Sequence, residues 1–550
     1  MSVNSGKRAN VVLYIFITLF ILLLCRVYFY QYVDSQKLSV MADTQYSYQE
    51  NSTELKYTLQ DFNGKDLLKY KIKYYCTIVP NLFLQNDSND KSEQLLAVMY
   101  ILRDYNNKYD LSGVSAAAQS GKKLYYEVDE NTYKKLQQIK GVKGFYVYTY
   151  SAVDRSQPWD IENLISNPRT LLDGKLKTTD TLEAQISKEV DKNKSSQLIF
   201  NKDIDGNIGV GKLSIPSANL NVRLTVDKNI QDKVYEVLNS DKYKKYTQAG
   251  VVLMKASTGE IKSCMIKDGN QPNAIIGAST NHGFYPGSIF KVIVGEAGIN
   301  SGIISTNDLF TCLGNYEEKN SRDHGTMNIK QALTISDNDI FAQIGCRVGF
   351  DKFGNLAKLQ GLDDKVLNLS DEVNGAFEIK KPSLSDGTLS ISSIGQLNRI
   401  TPLEAISIPN TVINEGTYIK PYVLAGYYDN SNDAVKTFTG EKQNVISTST
   451  ANIMKEDMIS VVNNGTGTQA AVPNIEIGGK TGTTQRVEKD SKGKNITHSD
   501  GWFCGFFKIN NDYYSMVVFV EDINNVTESG GNTAAPIFHD VVNAVKNDIK

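Results

Sequence analysis

Three short polar motifs, each placed at the edge of a different apolar pattern, constrain how this 550-residue chain folds. Residues 288–291 (Ser-Ile-Phe-Lys) follow a Pro-Gly pair and open an apolar run, which predicts a turn leading into a buried helix. Residues 336–338 (Ser-Asp-Asn) lie between two helix-like apolar segments. Residues 480–483 (Lys-Thr-Gly-Thr) end a predicted strand and follow two glycines. The chain is therefore predicted to mix helices with strands.

The first motif places a serine and a lysine on one face of a helix. Ser288 is predicted to lie in the first turn, with Lys291 three residues further on. A lysine inside an apolar helix is costly unless it has a partner or a function. Because burial and a nearby cation both lower a lysine pKa, we expect Lys291 to be neutral and to accept the Ser288 proton, while Lys480 stays charged. The alternative is a serine cap followed by a lysine whose amine reaches solvent.

The second motif carries groups suited to proton relay and to substrate amide binding. We assign the relay to Ser336 and the amide contact to Asn338, although both residue types are also common helix caps. Other S-x-N triplets occur at 217–219, 279–281 and 305–307, and other S-x-x-K quartets at 88–91 and 120–123. The two extra quartets are interpreted as surface loops, so the context of each motif carries the prediction.

The third motif offers a cation and two hydroxyls at the end of a strand. Lys480, Thr481 and Thr483 are suited to hold a substrate carboxylate, and Gly482 belongs to a glycine-flanked strand that permits close approach of a ligand backbone. The backbone N–H of Thr483, with that of Ser288, is expected to form an oxyanion hole. The alternative is a solvated edge strand with turn residues.

The amino-terminal segment predicts a membrane anchor. Lys7 and Arg8 precede an apolar run at 11–25 that extends to residue 30, about the length a spanning helix needs. Residues 1–9 are predicted to be a cytoplasmic tail and 10–32 a transmembrane helix, with the remainder outside the cell because positive charge precedes the run. A cleaved signal peptide is the alternative, but no small-residue cleavage site follows.

The predicted helices and strands divide residues 33–550 into two parts. Residues 33–220 are predicted to form a non-catalytic domain of mixed helix and strand, including a helix at 95–105 and a strand at 144–150. Residues 221–550 are predicted to form an α+β catalytic domain, a five-stranded antiparallel sheet flanked by helices. Its predicted elements are strands at 222–226, 249–254, 260–265, 475–482, 502–509 and 513–520, and helices at 228–238 and 535–549.

Composition excludes several classes of function. The 59 basic and 61 acidic residues give a net charge of −2, so no nucleic-acid partner is expected. Of six cysteines, one lies in the apolar run and five are widely spaced without a C-x-x-C pair. The four histidines are scattered as well. Neither a disulfide framework nor a metal site is predicted, and no cofactor is expected.

From about residue 221 onward, the chain resembles the transpeptidase domain of class B penicillin-binding proteins. The three motifs match the S-x-x-K, S-x-N and K-T-G set of penicillin-binding proteins and serine β-lactamases. Further matches lie outside the motifs: L-T-V-D at 224–227, T-G-E-I at 258–261, S-I-G-Q at 393–396, T-P-L at 401–403, W-F-C-G-F at 502–506 and A-A-P at 534–536. The resemblance implies the penicillin-binding transpeptidase fold, with a pedestal-like or dimerisation-like domain at 33–220.

The resemblance also implies a function. It points to a membrane-anchored serine D,D-transpeptidase that attacks the D-Ala-D-Ala end of peptidoglycan stem peptides and forms an acyl-enzyme on Ser288. β-Lactams would acylate the same serine, and a SEDS-type glycan polymerase would be a membrane partner. The implied catalytic residues are Ser288, Lys291, Ser336, Asn338 and Lys480, with substrate binding by Thr481, Gly482 and Thr483.

Other functions use the same three motifs. A D,D-carboxypeptidase would use water as acceptor, and a β-lactam sensor would be acylated without turnover. A secreted β-lactamase is disfavoured because no E-x-x-L-N segment lies between the second and third motifs and because an anchored domain is not needed for that activity.

Overall fold

The computed structural model describes residues 3–29, 47–86, 92–203, 205–316, 324–489, 495–524 and 526–549. Its first helix, Val3–Tyr28, contains the stretch Asn10–Tyr28, which has a mean hydropathy of 2.5. Within the described ranges this is the one helix long and apolar enough to cross a membrane, by length and composition. The predicted end of the anchor at residue 32 and the quartet at 88–91 fall outside the described residues.

The chain forms two compact units. The first comprises Met1–Lys56, Tyr70–Val153 and Lys194–Ser217, and the second comprises Tyr57–Lys69, Asp154–Asn193 and Ala218–Lys550. The sequence placed all of 33–220 in one amino-terminal domain, whereas residues 57–69, 154–193 and 218–220 belong to the second unit. Leu59–Gln60 pairs in parallel with Asn221–Leu224, a long-range pairing that no local pattern reveals.

The first unit is built on two small antiparallel sheets. In one, Tyr70–Ile78 lies between Leu124–Val128 and Phe145–Val153; in the other, Gln197–Asn201 lies between Ser47–Asn51 and Lys212–Ser214. Its other helices are Pro80–Phe83, Ser92–Tyr105, Val114–Ser120 and Glu130–Gln137. The helix expected at 95–105 and the strand expected at 144–150 are confirmed, and their apolar faces share one core.

The second unit is organised around a five-stranded antiparallel sheet. Its strands are β1 (Ala249–Lys255), β2 (Glu260–Ile266), β3 (Ile477–Lys489), β4 (Asn495–Ile509) and β5 (Asp512–Ile523), in the order β2-β1-β5-β4-β3. All five were predicted, although β3 and β4 are longer than expected. The central strands are buried on both faces, which explains why β5 contains the continuous apolar run MVVFV instead of an alternating pattern.

Helices cover both faces of this sheet and bring the three motifs to one edge. Three helices position the site: α1 (Lys291–Asn300), α2 (Ile329–Ile335) and α3 (Asn338–Val348). The remaining helices of the unit are Ile161–Ser166, Leu182–Glu189, Lys228–Leu238, Phe350–Leu359, Thr388–Ser393, Pro402–Ala405, Ser407–Ile413, Thr448–Asn464 and Ala534–Val545. Lys228–Leu238 begins and ends as predicted, and it packs with Ala534–Val545 in one core with the sheet.

Shorter strands complete the second unit. A four-stranded sheet runs in the order Ala434–Thr437, Leu424–Tyr428, Asn221–Leu224 and Leu59–Gln60. Three two-stranded ribbons pair Phe310–Thr311 with Thr326–Met327, Ala376–Phe377 with Asn398–Arg399, and Thr417–Ile419 with Lys442–Asn444. The strand predicted at 222–226 is thus present but ends at Leu224.

Candidate active site

Ser288 lies in a short turn of 3-10 helix, Gly287–Phe290, that leads directly into α1. The serine is half-buried, whereas the apolar side chains on either side of the turn are fully buried. Gly287 has a left-handed backbone with φ of 54°, and its N–H donates to the carbonyl of Gly395 at 3.1 Å. The backbone therefore fixes the turn, and the serine lies at the helix start as the sequence predicted.

Lys291 is fully buried and reaches the junction between α2 and α3. Its Nζ donates to the Ser336 carbonyl at 2.6 Å and to Asn338 Oδ1 at 2.7 Å, with a longer contact of 3.4 Å to Ser336 Oγ. It also lies 5.6 Å from the centre of the Phe341 ring. The lysine thus has polar partners inside the fold, and the alternative in which its amine reaches solvent is wrong.

The Ser-Asp-Asn motif forms the sharp connection between α2 and α3. Ser336 ends α2 with a left-handed backbone, φ 65° and ψ 36°, a conformation that costs a non-glycine residue about 1–2 kcal/mol. Asp337 caps α3, since its Oδ1 accepts from the Ile340 N–H at 2.7 Å. The capping role weighed from the sequence therefore belongs to Asp337, and the side chains of Ser336 and Asn338 are left to face the lysines.

Lys480 enters the same cluster from the sheet. It is fully buried, and its Nζ donates to Ser336 Oγ at 2.8 Å and to the Thr481 carbonyl at 3.0 Å. Burial and the charge of Lys291 hold the pKa of Lys480 well below its usual value. These surroundings disfavour the charged form of the lysine that we expected to stay charged, because two buried ammonium groups oppose each other. How the charge divides between the two lysines stays a prediction.

The third motif lies directly against the turn that carries Ser288. A Cβ added to Gly482 would lie 2.8 Å from the Pro286 carbonyl oxygen, and one added to Gly287 would lie 2.9 Å from the Thr483 carbonyl oxygen. Side chains at either glycine would push the two segments apart. Glycine at both positions therefore lets the serine turn and strand β3 approach at backbone distance, as an oxyanion hole between Ser288 and Thr483 requires.

The two threonines of the third motif differ in exposure. Thr483 is exposed, and its Oγ1 accepts from the Gly530 N–H at 3.1 Å. Thr481 is buried, and its hydroxyl is 2.7 Å from that of Thr466. Thr483 is thus the more accessible of the two hydroxyls expected to bind a carboxylate.

Several residues that sequence reasoning missed complete the site. Thr466 partners Thr481, and Gly465 lies so close to α2 that an added Cβ would be 2.0 Å from the Thr334 carbonyl oxygen. The Tyr316 carbonyl accepts from Asn338 Nδ2 at 3.2 Å. The run N-G-T-G at 464–467 was the one available signal, because clustered glycines mark a turn or a close approach.

Of the other serines and histidines considered from the sequence, His324 reaches this cluster and three others lie outside it. Ser120 ends an exposed helix in the first unit, as expected for a surface motif. His498 and His539 pair with neighbouring aspartates, Asp522 and Asp540, on the surface of the second unit. His324, expected to be structural, instead contacts the second motif: its Nδ1 is 2.8 Å from Asp337 Oδ2.

Chemically, the cluster supplies what acyl transfer needs. It combines a half-buried hydroxyl at a helix start, two buried amines on a shared serine hydroxyl, and an adjoining strand with an exposed hydroxyl. Ser288 precedes a buried lysine by three residues, and that lysine is oriented by Ser336 and Asn338, an arrangement suited to covalent catalysis.

The chain is similar in sequence to known proteins. The family model described as "Penicillin binding protein transpeptidase domain" matches residues 249–543, more than half of the chain. A peptidoglycan D,D-transpeptidase FtsI homolog of Mesostigma viride is 22% identical, over 95% of this chain and 93% of that protein. Stage V sporulation protein D of Bacillus subtilis is 25% identical, over 98% of this chain and 85% of that protein.

Among solved structures, a peptidoglycan synthetase from Bifidobacterium adolescentis has a similar fold. The TM-score is 0.63 at 16% identity, with 91% of this chain and 96% of that chain covered. The fold and site define a serine acyl-transfer enzyme with a mixed α+β catalytic unit. The chain belongs to the penicillin-binding protein transpeptidase family.

Proposed function

We propose that this protein is a membrane-anchored serine D,D-transpeptidase that crosslinks peptidoglycan stem peptides through an acyl-enzyme on Ser288. The observation that carries the proposal is the convergence of Lys291 and Lys480 on the Ser336 hydroxyl, beside the turn that bears Ser288. The names of the relatives, peptidoglycan D,D-transpeptidases, support the substrate class.

The first half of the reaction forms the acyl-enzyme. Ser288 Oγ attacks the carbonyl between the two terminal D-alanines, and its proton passes to the neutral amine of Lys291. The N–H groups of Ser288 and Thr483 stabilise the oxyanion of the tetrahedral intermediate. When the C–N bond breaks, Ser336 relays a proton to the departing D-alanine amine. The proton taken from the serine thus leaves with the amine.

Substrate is positioned mainly by the third motif. The terminal carboxylate binds at the exposed Thr483 hydroxyl, with Thr481 and Lys480 behind it, and Gly482 allows the peptide backbone to lie close to β3. Asn338 is held between Lys291 and the Tyr316 carbonyl, which fixes its amide for contact with the stem peptide. An amine from a neighbouring stem then attacks the Ser288 ester, the proton transfers run in reverse, and a new amide forms.

β-Lactams are expected to react at the same serine. Their strained amide replaces the D-Ala-D-Ala bond, and the carboxylate they carry meets the third motif. The acyl group stays tethered after ring opening, so the amine cannot leave and the ester persists.

Turnover of a stem pentapeptide ending in D-Ala-D-Ala tests the proposal. With a D-amino acid other than alanine as acceptor, we expect release of D-alanine and a peptide in which the acceptor has replaced the terminal D-alanine. Both products are detected by mass spectrometry. The Ser288→Ala variant should give neither. Release of D-alanine without acceptor incorporation would identify a carboxypeptidase, and penicillin acylation without peptide turnover would identify a sensor.

Membrane topology is part of the proposal. Asn10–Tyr28 would span the bilayer with the preceding Lys7 and Arg8 in the cytoplasm, which places the catalytic unit on the outer side. A phosphatase reporter fused after residue 550 should be active only on the outer side; an inactive fusion would contradict this orientation. Co-purification from membranes tests the SEDS-type glycan polymerase implied by the family resemblance, and its absence from the purified complex would remove that partner.

A further inference from the structure

A second cluster of reactive side chains lies beside the catalytic motif. The ribbon of Phe310–Thr311 and Thr326–Met327 places Cys312 and His324 next to each other, because the Cys312 N–H continues the ladder by donating to the Gly325 carbonyl at 3.0 Å. No metal site was expected from the sequence because it has no C-x-x-C pair and only scattered histidines, whereas the ribbon brings this cysteine and this histidine together.

Asp337 completes this cluster. Its Oδ1 is occupied by the cap of α3, whereas its Oδ2 is directed at His324 Nδ1, 2.8 Å away. Potential ligand atoms of Cys312, His324 and Asp337 all lie within 4.8 Å of one another. Cys312 and Asp337 are 1% and 0% exposed, and the His324 side chain is 32% exposed. The group is thus buried on two sides and reachable from solvent on the third.

The chemistry of the group favours a soft to borderline cation. Thiolate, imidazole and carboxylate together form a donor set of zinc sites. The Asp337 carboxylate also lies 2.8 Å from the His324 ring, so the three potential ligands face one another.

We propose that Cys312, His324 and Asp337 bind one zinc ion, which ties the ribbon to the Ser-Asp-Asn motif. Three protein ligands leave one position of a tetrahedral site for a solvent molecule on the exposed side of His324. The ion would hold Asp337 from the side opposite the cap of α3. By holding Asp337, the ion would also fix the two residues on either side of it, Ser336 and Asn338, in contact with Lys291. The role is positional, since none of the three ligands is assigned to the acyl-transfer reaction.

Metal analysis of the full-length protein tests this site. The protein is purified in detergent without chelator, equilibrated with zinc sulfate, dialysed, and measured by plasma mass spectrometry. We expect about one zinc per chain in the wild type, and binding at least about tenfold weaker in Cys312→Ser and His324→Ala. Cys346→Ser is the matched control, because this partly buried cysteine of α3 contacts Ser390 and lies outside the cluster. It should bind zinc like the wild type.

Cobalt gives a readout that does not depend on activity and that can be taken on the wild type alone. Co²⁺ bound in place of zinc in the wild type should show the near-ultraviolet charge-transfer absorption of a cobalt–thiolate bond, which Cys312→Ser should lack. Zinc at background level in the wild type, or cobalt bound without a thiolate band, would overturn the proposal. Wild-type affinity in Cys312→Ser would overturn it as well.

Discussion

Lys291 and Lys480 donate to one and the same acceptor, the hydroxyl of Ser336, at 3.4 Å and 2.8 Å. One lysine comes from a helix and the other from a strand, and both are fully buried. Because two charged amines are unfavourable at this separation without counter-charges, Ser336 is the point through which a proton can pass between them. Two of the predictions below depend on this arrangement.

Replacing Lys480 by methionine should slow acylation by penicillin by about 10²–10³-fold, the size of effect seen when a key electrostatic group is removed. The change keeps an unbranched side chain, one atom shorter, and removes the hydrogen bond to Ser336. Lys262→Met is the matched control, because Lys262 is also a buried lysine of the sheet, paired with Glu260 away from the site. Stopped-flow acylation measures both, and a Lys480→Met rate within twofold of the wild type would count against the assigned role.

Replacing Ser336 by alanine should slow acylation by about 10²–10⁴-fold, since it removes the proposed proton relay. The backbone carbonyl of residue 336 still accepts from Lys291, so the lysine keeps a partner. Ser393→Ala, at a buried serine bonded to the Leu389 carbonyl, is the control for loss of a buried hydroxyl. Equal rates for the two variants would mean that the Ser336 hydroxyl has no special part in the reaction.

Replacing Gly482 by alanine tests the contact between β3 and the serine turn. The added Cβ would lie 2.8 Å from the Pro286 carbonyl oxygen and 3.1 Å from Ile289 Cγ2. We expect destabilisation of about 1–3 kcal/mol, as for other overpacked sites, together with slower acylation because Ser288 moves. Gly113→Ala, where nothing lies within 4 Å, should change neither. Unfolding transitions and acylation rates of the two variants provide the comparison, and unchanged acylation in Gly482→Ala would show that the approach is not needed.

Glu296 should make stability fall as the pH rises. It is fully buried in α1, where its Oε2 accepts from Gln360 Nε2 at 2.6 Å, and burial raises its pKa to about 8 from 4.5. Between pH 4.5 and about 8 the unfolded chain loses this proton while the folded chain keeps it, so stability is lost across that window.

The Glu296→Gln variant should lack this loss. Its melting temperature relative to the wild type should therefore increase from pH 4.5 to about 8. Glu236→Gln, at an exposed glutamate of the helix Lys228–Leu238, should follow the wild-type curve. Parallel curves for wild type and Glu296→Gln would show that this carboxyl does not titrate within the window.

The sequence predicted those parts of the fold that depend on local pattern. The five strands have apolar runs or alternation between turn residues, and the helix Lys228–Leu238 has periodic apolar residues and an aspartate cap. What it could not supply were contacts between distant segments: the pairing of Leu59–Gln60 with Asn221–Leu224 and the approach of His324 to Asp337. These contacts depend on how elements dock, which no local spacing records.

The positions of the site residues could be predicted from the sequence better than their pKa values. Ser288 and Lys291 lie where the motif placed them, but the sequence could not show that burial lowers the pKa of Lys480. That shift follows from the tertiary surroundings of the lysine, whereas the Asp337 cap is a local contact with the Ile340 N–H, of the kind that an aspartate before a helix favours.

The identity of the acylated residue tests the central claim most directly. Full-length wild type, Ser288→Ala and Ser120→Ala are labelled with a fluorescent penicillin, and the labelled peptide is located by mass spectrometry. Ser120 is the matched control, because it begins an S-x-x-K quartet on an exposed helix end. We predict label on Ser288 in the wild type and in Ser120→Ala, and none in Ser288→Ala. Label that persists in Ser288→Ala, or that maps to another residue of the wild type, would contradict the account.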